Sequence, residues 1–558
     1  MKKYIHPYAL AGIVPASFFL IFYFYPLSGI FIKSFFDPFL NSLLNPTSGQ
    51  GKLNFVFMEQ IFLSPRMMKI IWFTFWQAGL STLLTLIFAL PCAFVMSHYT
   101  FRGKKIIKTL ASIPFVLPAV VVAAAFQACF GENSFFGFTI ENPLVLILLA
   151  HVFYNFSVML RIITGFWTSL QGQIKEAAMV LGANPLQLFL NITLPLLKPA
   201  ILAASILVFI FCFSSFGIIL ILGGPSYSTI EAEIYRQAAH LFNLKVASSL
   251  SLIQIVFTFA LMWIYTLFTK KAARFSPDSG QANLKKPDLR WEKILIATVM
   301  AFIIALCVIP LLALVIKSLS HNGQWSFLYY KALFKNASDS IFYIPPFHAV
   351  KYSFLFAGTA LVIALVTGLC AALFIRFADY NISNKLSTFF DPIFMLPLST
   401  SAVTLGFGII ITLDKPPLNL RTSIFLIPIV HALVGFPFVL RTILPALRSI
   451  PQNLTDTASM LGASPLKILR YIDLPLISKG LVAGAIFAFT ISLGEFGATI
   501  FTARPETPTI PIAIYRFLGQ PGAINYGQAM AVSTILMVAT AIGFIAIENF
   551  RIGNSEGF

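Results

Sequence analysis

Charge is scarce in this sequence. Only 10% of its 558 residues are Asp, Glu, Lys or Arg, while 58% are hydrophobic, and the mean hydropathy is +0.86. A soluble chain carries roughly 25% charged residues. More apolar sequence is present than one aqueous core can bury, which excludes an ordinary water-soluble domain. Cysteine is scarce too. Cys92, Cys129, Cys212, Cys307 and Cys370 lie inside apolar stretches, with neither zinc-site nor disulfide-framework spacing, so they read as small core residues and no metal site is expected. No Gly-x-x-x-x-Gly-Lys-Ser/Thr phosphate loop occurs. Missing as well is the alternating ~10-residue pattern of an outer-membrane barrel.

What the sequence has instead is long apolar runs. A spanning helix needs ~20 mostly apolar residues, and twelve such stretches occur: 8–32, 71–96, 108–130, 144–167, 199–222, 249–267, 294–316, 350–375, 392–413, 423–444, 480–501 and 529–547. Helices satisfy their own backbone hydrogen bonds in lipid, so the expected fold is all-α and polytopic. The first stretch exceeds the ~7–15-residue core of a cleavable signal and is read as a retained anchor.

A net charge of +18 raises the question of nucleic acid, and its placement answers it. Arg102, Lys104, Lys105 and Lys108 follow the second stretch, and Lys270, Lys271, Arg274, Lys285, Lys286, Arg290 and Lys293 fill the middle of the chain. The loop 131–142 on the opposite side holds Glu132 and Glu141 and no Lys or Arg. That is the positive-inside asymmetry: the partner expected is a lipid bilayer, not nucleic acid, with both termini cytoplasmic.

The second half repeats the first. His151 recurs as His431, Arg161 as Arg441, Gly182 as Gly462, Pro195 as Pro475 and Phe216-Gly217 as Phe496-Gly497, each 280 residues on. The register runs through Ile234-Tyr235-Arg236 and Ile514-Tyr515-Arg516, and upstream it slips to 279, matching Leu117-Pro118 with Leu396-Pro397. Six helices repeat as six, which makes the repeat parallel. The expected domains are 1–269 and 294–558, joined by a polar linker over 270–293.

One segment of each half is patterned beyond the needs of a turn, near 171–198 and near 451–479. The first reads Glu176-Ala177-Ala178-x-x-x-Gly182, nine residues, then Ile192-x-Leu194-Pro195. The second reads Asp456-Thr457-Ala458-x-x-x-Gly462, nine residues, then Ile472-x-Leu474-Pro475. An acid in the first turn favours a helix start, small residues admit a close neighbour, and Gly182 can close the helix in the left-handed conformation. Pro185 then fits the first turn of a second helix. The pattern predicts a helix–turn–helix suited to a groove in a soluble partner, rather than a plain connection.

This pattern is similar to the cytoplasmic signature of permease subunits in binding-protein-dependent ABC importers, and each half resembles one permease domain. The resemblance implies that Glu176, Ala177, Ala178, Gly182 and Pro195, with Asp456, Thr457, Ala458, Gly462 and Pro475, couple the chain to two copies of a separate ATPase. It implies no catalytic residue and no cofactor here, ATP and Mg being held by the partner subunits. An extracytoplasmic solute-binding protein, delivering to a bacterial inner membrane, is implied as well. A secondary transporter with twelve spans, an exporter and a scaffold are the other classes considered.

Fused double permeases of this size resemble the thiamine and ferric-iron branches. The stretches 72–78, 148–155, 213–217, 222–225 and 229–235 look most like thiamine permeases, whereas 492–498 with Ala513-Ile514-Tyr515-Arg516 suits an iron permease equally. Glu495 is the acid singled out inside a span, where an ionisable group costs about 2.5–3.5 kcal/mol and faces a cavity or a partner. It and its repeat counterpart Ser215, with Phe496 and Phe216, are candidates for the translocation pathway. The competing role for Glu495 is a structural pairing with a hydroxyl or backbone group. His151 and His431 are read as hydrogen-bonding groups near helix ends rather than metal ligands. Arg161 and Arg441 are read as snorkelling anchors, and 223–247 and 503–528 as candidate surfaces for the binding protein.

Overall fold

The computed structural model describes residues 7–35, 61–132, 134–170, 178, 180–224, 226–274, 284–335, 344–381, 384–414 and 418–552. Among the described residues, ten helices are long and apolar enough to cross a membrane. They are α1 (Tyr8–Phe35), α2 (Pro65–His98), α5 (Pro143–Ser169), α6 (Leu186–Phe213), α7 (Leu244–Thr269), α8 (Arg290–Leu319), α9 (Phe347–Asp379), α12 (Leu426–Arg448), α14 (Pro465–Gly494) and α15 (Ala523–Ile547). Two further pairs pass the same test only together. These are α3 (Lys104–Val116) with α4 (Ala119–Phe130), bent by 106°, and α10 (Phe390–Ser399) with α11 (Ala402–Thr412), bent by 96°. Counting each pair as one span gives twelve. The fold is all-α; the strands described form one two-residue ladder, Ser320–His321 against Gln324–Trp325.

The bends are a difference from the sequence expectation, which took 108–130 and 392–413 as continuous. Their causes are local. Leu117 is extended (φ −70°, ψ 140°), as the residue before a proline must tend to be. In the other pair the first leg ends at Ser399 and Ser401 caps the next, its Oγ accepting from the Val403 amide at 3.2 Å. Helix starts elsewhere follow the same chemistry: Asn142 caps the Leu144 amide at 3.0 Å, with Pro143 at the first helical position.

Two compact units divide the chain, and they do not follow its halves. One comprises α1, the stretch Ile234–Leu252 and α9 through α15; the other comprises α2 through α6, the remainder of α7, and α8. The opening helix of each half therefore packs within the unit built on the other half: α1 against α9 and α11, and α8 against α3 and α4.

In lipid, helix association rests on van der Waals packing and polar contacts rather than on expulsion of water. In the unit containing α1, the Phe19 ring lies 4.9 Å from Phe436 and 5.3 Å from Phe394, and the Tyr23 hydroxyl meets Thr400 Oγ1 at 2.7 Å. A Cβ at Gly408 would stand 3.1 Å from the Pro26 carbonyl oxygen, so glycine lets α11 meet the α1 backbone directly. In the other unit, Gln77 Nε2 donates to the Cys212 carbonyl at 2.8 Å, joining α2 to α6, and Phe88 stacks on Phe302 of α8. Lys285 and Tyr99 form a short parallel bridge, and Lys285 Nζ donates to Glu292 at 2.8 Å. That carboxylate holds the lysine above its ordinary pKa.

Candidate coupling loops and buried polar sites

The loop between α12 and α14 is described throughout. Pro451 precedes a short helix, α13 (Gln452–Met460), which buries none of its residues; Asp456 and Thr457 are exposed on it and Ala458 is half-buried. The helix closes at Gly462, with φ at +82°, where the Gly462 amide reaches Ser459 O at 3.0 Å and the Ala463 amide reaches Ala458 O at 3.0 Å. These are the paired bonds of a Schellman end, which glycine adopts without the Cβ penalty. No atom crowds the glycine, so its backbone angle is what calls for this residue. The chain then enters α14, whose first leg Pro465–Ile468 widens into one π-helical turn over Leu469–Asp473 before the regular helix resumes, with Pro475 exposed just past the turn.

The matching loop between α5 and α6 repeats what is described of this. Glu176 and Ala177 lie outside the described residues. Ala178 is buried, Gly182 has φ +83°, and the Ala183 amide reaches Ala178 O at 3.1 Å. A π-helical turn again falls 280 residues earlier, over Phe189–Thr193, ahead of an exposed Pro195. Beside each glycine stands a pair of bare apolar side chains: Val180 and Leu181 are each 87% exposed, and Met460 and Leu461 are 81% and 84% exposed. Leu186 and Leu466 repeat the theme one turn on. Leu181 and Leu186 recur identically as Leu461 and Leu466, whereas Val180 and Met460 fall at a variable place of the motif; their exposure is what the sequence does not display.

The pathway candidates are all buried. Glu495 follows α14, and its carboxylate accepts from the Ala498 amide at 2.8 Å and the Thr499 amide at 2.9 Å, as well as from the Thr499 hydroxyl. His431 Nε2 stands 3.4 Å away, and that ring also bonds Ser492 through Nδ1 and Thr499 through Nε2, both at 2.7 Å. The acid thus caps the short helix Thr499–Thr502 and locks it to α12. Phe496 packs on Tyr515 at 5.6 Å. In the other unit, His151 bonds Ser81 at 3.0 Å and Ser215 at 2.8 Å, and Phe216 is buried beside it. Each histidine therefore reaches toward the position 215 or 495 of its own half, a pairing the sequence did not reveal. Arg161 and Arg441 are exposed.

Further along, Tyr235 and Tyr515 share a side-chain hydrogen bond within one unit. Tyr235 also meets Phe501 edge-on at 5.7 Å. Burial raises both phenols above their ordinary pKa, and burial lowers that of Arg516.

A tandem all-α repeat in which each half carries a loop turned at a left-handed glycine ahead of a π-helical turn marks a two-domain membrane permease. The chain belongs to the family described as binding-protein-dependent transport system inner membrane component, which matches residues 86–274 and again 364–552. Relatives extend over most of the chain. It is 26% identical to the thiamine transport system permease protein ThiP of Haemophilus influenzae, over 97% of this chain and 96% of that one. Proteins of the same name from Brucella abortus and Escherichia coli K12 are each 24% identical, over 87% and 85% of this chain and 88% of theirs. A putative 2-aminoethylphosphonate permease, PhnV of Salmonella paratyphi A, is 28% identical over 42% of this chain.

Proposed function

We propose that this chain is the fused translocation subunit of an ABC importer for thiamine or a closely related compound. The observation that carries the solute assignment is the end-to-end likeness to thiamine permeases, which spans both halves and the linker between them. In this proposal two copies of a separate ATPase sit under the loops 171–198 and 451–479, holding the ATP and Mg, and a solute-binding protein docks on the opposite face. Both termini are cytoplasmic, and 1–269 and 294–558 act as the two permease domains.

The repeated bare pairs Val180-Leu181 and Met460-Leu461 support ATPase docking at the loops, because exposed apolar clusters outside the membrane mark protein contacts. ATP binding draws the two loops together and favours the outward-open state; hydrolysis resets it. Energy enters only through contacts that differ between the two states. Glu495, with its carboxylate bonded inside its own loop, is better suited to holding that loop than to touching a passing cation; Ser215, Phe496 and Phe216 remain the other pathway candidates.

The test is ATPase stimulation in proteoliposomes containing the chain, its ATPase and its binding protein. Stimulation by thiamine-loaded binding protein is expected. Stimulation by ferric-iron-loaded protein alone would keep the importer and overturn the solute. A chain that transports alone, driven by an ion gradient, would replace the importer with a secondary carrier.

A further inference from the structure

Asp473 ends the π-helical turn of the second loop and is fully buried. Both of its carboxylate oxygens are engaged: Oδ1 accepts from Arg376 Nη1 at 2.7 Å, and Oδ2 accepts from the Tyr8 hydroxyl at 3.0 Å. The same hydroxyl lies 3.2 Å from the carbonyl oxygen of Pro465, the residue that opens the return leg. Arg376 comes from α9 and is itself buried, and Tyr8 comes from α1. One carboxylate thus ties three elements of the unit together: the return of the loop, α9, and the opening helix of the chain.

The first half has no counterpart. In the 280-residue register Asp473 corresponds to Thr193, and in the 279-residue register that holds upstream Arg376 corresponds to Ser97. Ser97 spends its hydroxyl locally, on Phe94 O at 3.0 Å and His98 Nδ1 at 2.9 Å. The backbone of the two returns is alike, down to the π-helical turn; the ion pair belongs to one of them.

A buried pair is costly to break from one side, because it leaves a charge without a partner. A push on the second loop is therefore passed to α9 and α1 through a joint that does not slip, whereas among the described residues no ion pair ties the return of the first loop to the matching helix. We infer that Asp473 and Arg376 are positioning residues for energy coupling, and that the chain takes up the ATPase stroke unequally, the second loop being the rigid arm. This rests on the proposal that the loops engage ATPases.

The experiment uses the full complex with ATPase and binding protein in proteoliposomes, reading the ratio of ATPase rate with thiamine-loaded binding protein to the rate without it. Asp473→Asn is expected to lower that ratio about 5-fold or more, the lower bound of ordinary site-to-site coupling, and Asp473→Glu to recover much of it. Thr193→Val, at the matching place in the first loop, keeps the wild-type ratio. Should Asp473→Asn fail to assemble, the double variant Arg376→Met with Asp473→Leu removes the tie without stranding a charge, and the same loss is expected of it. A double variant stimulated like wild type, or a Thr193→Val variant as impaired as Asp473→Asn, overturns the inference. Failure of the wild-type chain to retain an ATPase is a different result and rejects the importer proposal itself.

Discussion

Tyr235 and Tyr515 occupy the same position in the two repeats, 280 residues apart, and their side chains are hydrogen-bonded to each other. Phe501 and Phe496 flank them, one ring on each. A neutral intramolecular hydrogen bond contributes about 1 kcal/mol. The double variant Tyr235→Phe with Tyr515→Phe keeps the rings and deletes the bond. It is expected to shift the complex away from this conformation about 5-fold, seen as a higher ATPase rate in the absence of binding protein. An unchanged rate would show that the contact is broken and remade at no cost during the cycle.

The left-handed glycines set a second expectation. At φ near +80° a side chain costs about 1–2 kcal/mol, and nothing else crowds Gly182 or Gly462. Gly182→Val and Gly462→Val should leave the membrane helices intact and redirect the loops, so that ATP hydrolysis continues with little transport. The check is moles of ATP hydrolysed per mole of solute moved; a wild-type ratio in both variants counts against the loops as couplers.

Bare apolar side chains give a third. Leu181→Asp and Leu461→Asp place a charge in what would be the centre of each docking contact, where a hot-spot side chain contributes about 2 kcal/mol or more. Each variant should retain less ATPase on co-purification, and the pair together almost none. Retention equal to wild type would place the ATPase contact elsewhere.

Glu495 supplies the fourth. Its carboxylate holds two backbone amides and a hydroxyl beside His431, and hydrogen bonds to a charged group contribute about 1.5–3 kcal/mol each. Glu495→Gln keeps the shape but cannot accept at both oxygens. A lower thermal-unfolding temperature is expected, with transport per folded molecule near wild type. The reverse pattern, full stability with transport lost, would assign the acid to the pathway.

How much of this was legible in the sequence depended on how local the cause is. Span length, the positive-inside asymmetry and the 280-residue register are properties of the chain itself, and they carried the helices and the repeat. The sharp bends were half-visible: Leu117-Pro118 announces one, but the capping by Ser401 is an ordinary serine until the structure shows what it accepts from. The Tyr8–Arg376–Asp473 node spans 465 residues of sequence, and no periodicity encodes such a meeting. One signal was available all the same. Within the motif Ile-x-Leu-Pro the unassigned position is Thr193 in one half and Asp473 in the other, and an acid gained at a variable place in a repeat asks for a base. The pairing of His431 with Glu495 was hidden for the same reason: each residue stands out in the sequence by itself, but nothing there places them 3.4 Å apart.

The placement of α1 with the later helices also bears on biogenesis. The opening helix leaves the ribosome some three hundred residues before α9 and α11, its packing partners. Within its own half it meets the start of α7, where Ser34 bonds Ser249 at 3.1 Å, but the unit that contains it cannot close until the later helices are made. Severing the chain within 270–293 would then yield two fragments that each lack a helix of their own bundle and carry one belonging to the other. Made alone, each fragment leaves α1 without α9 and α11, or α8 without α3 and α4.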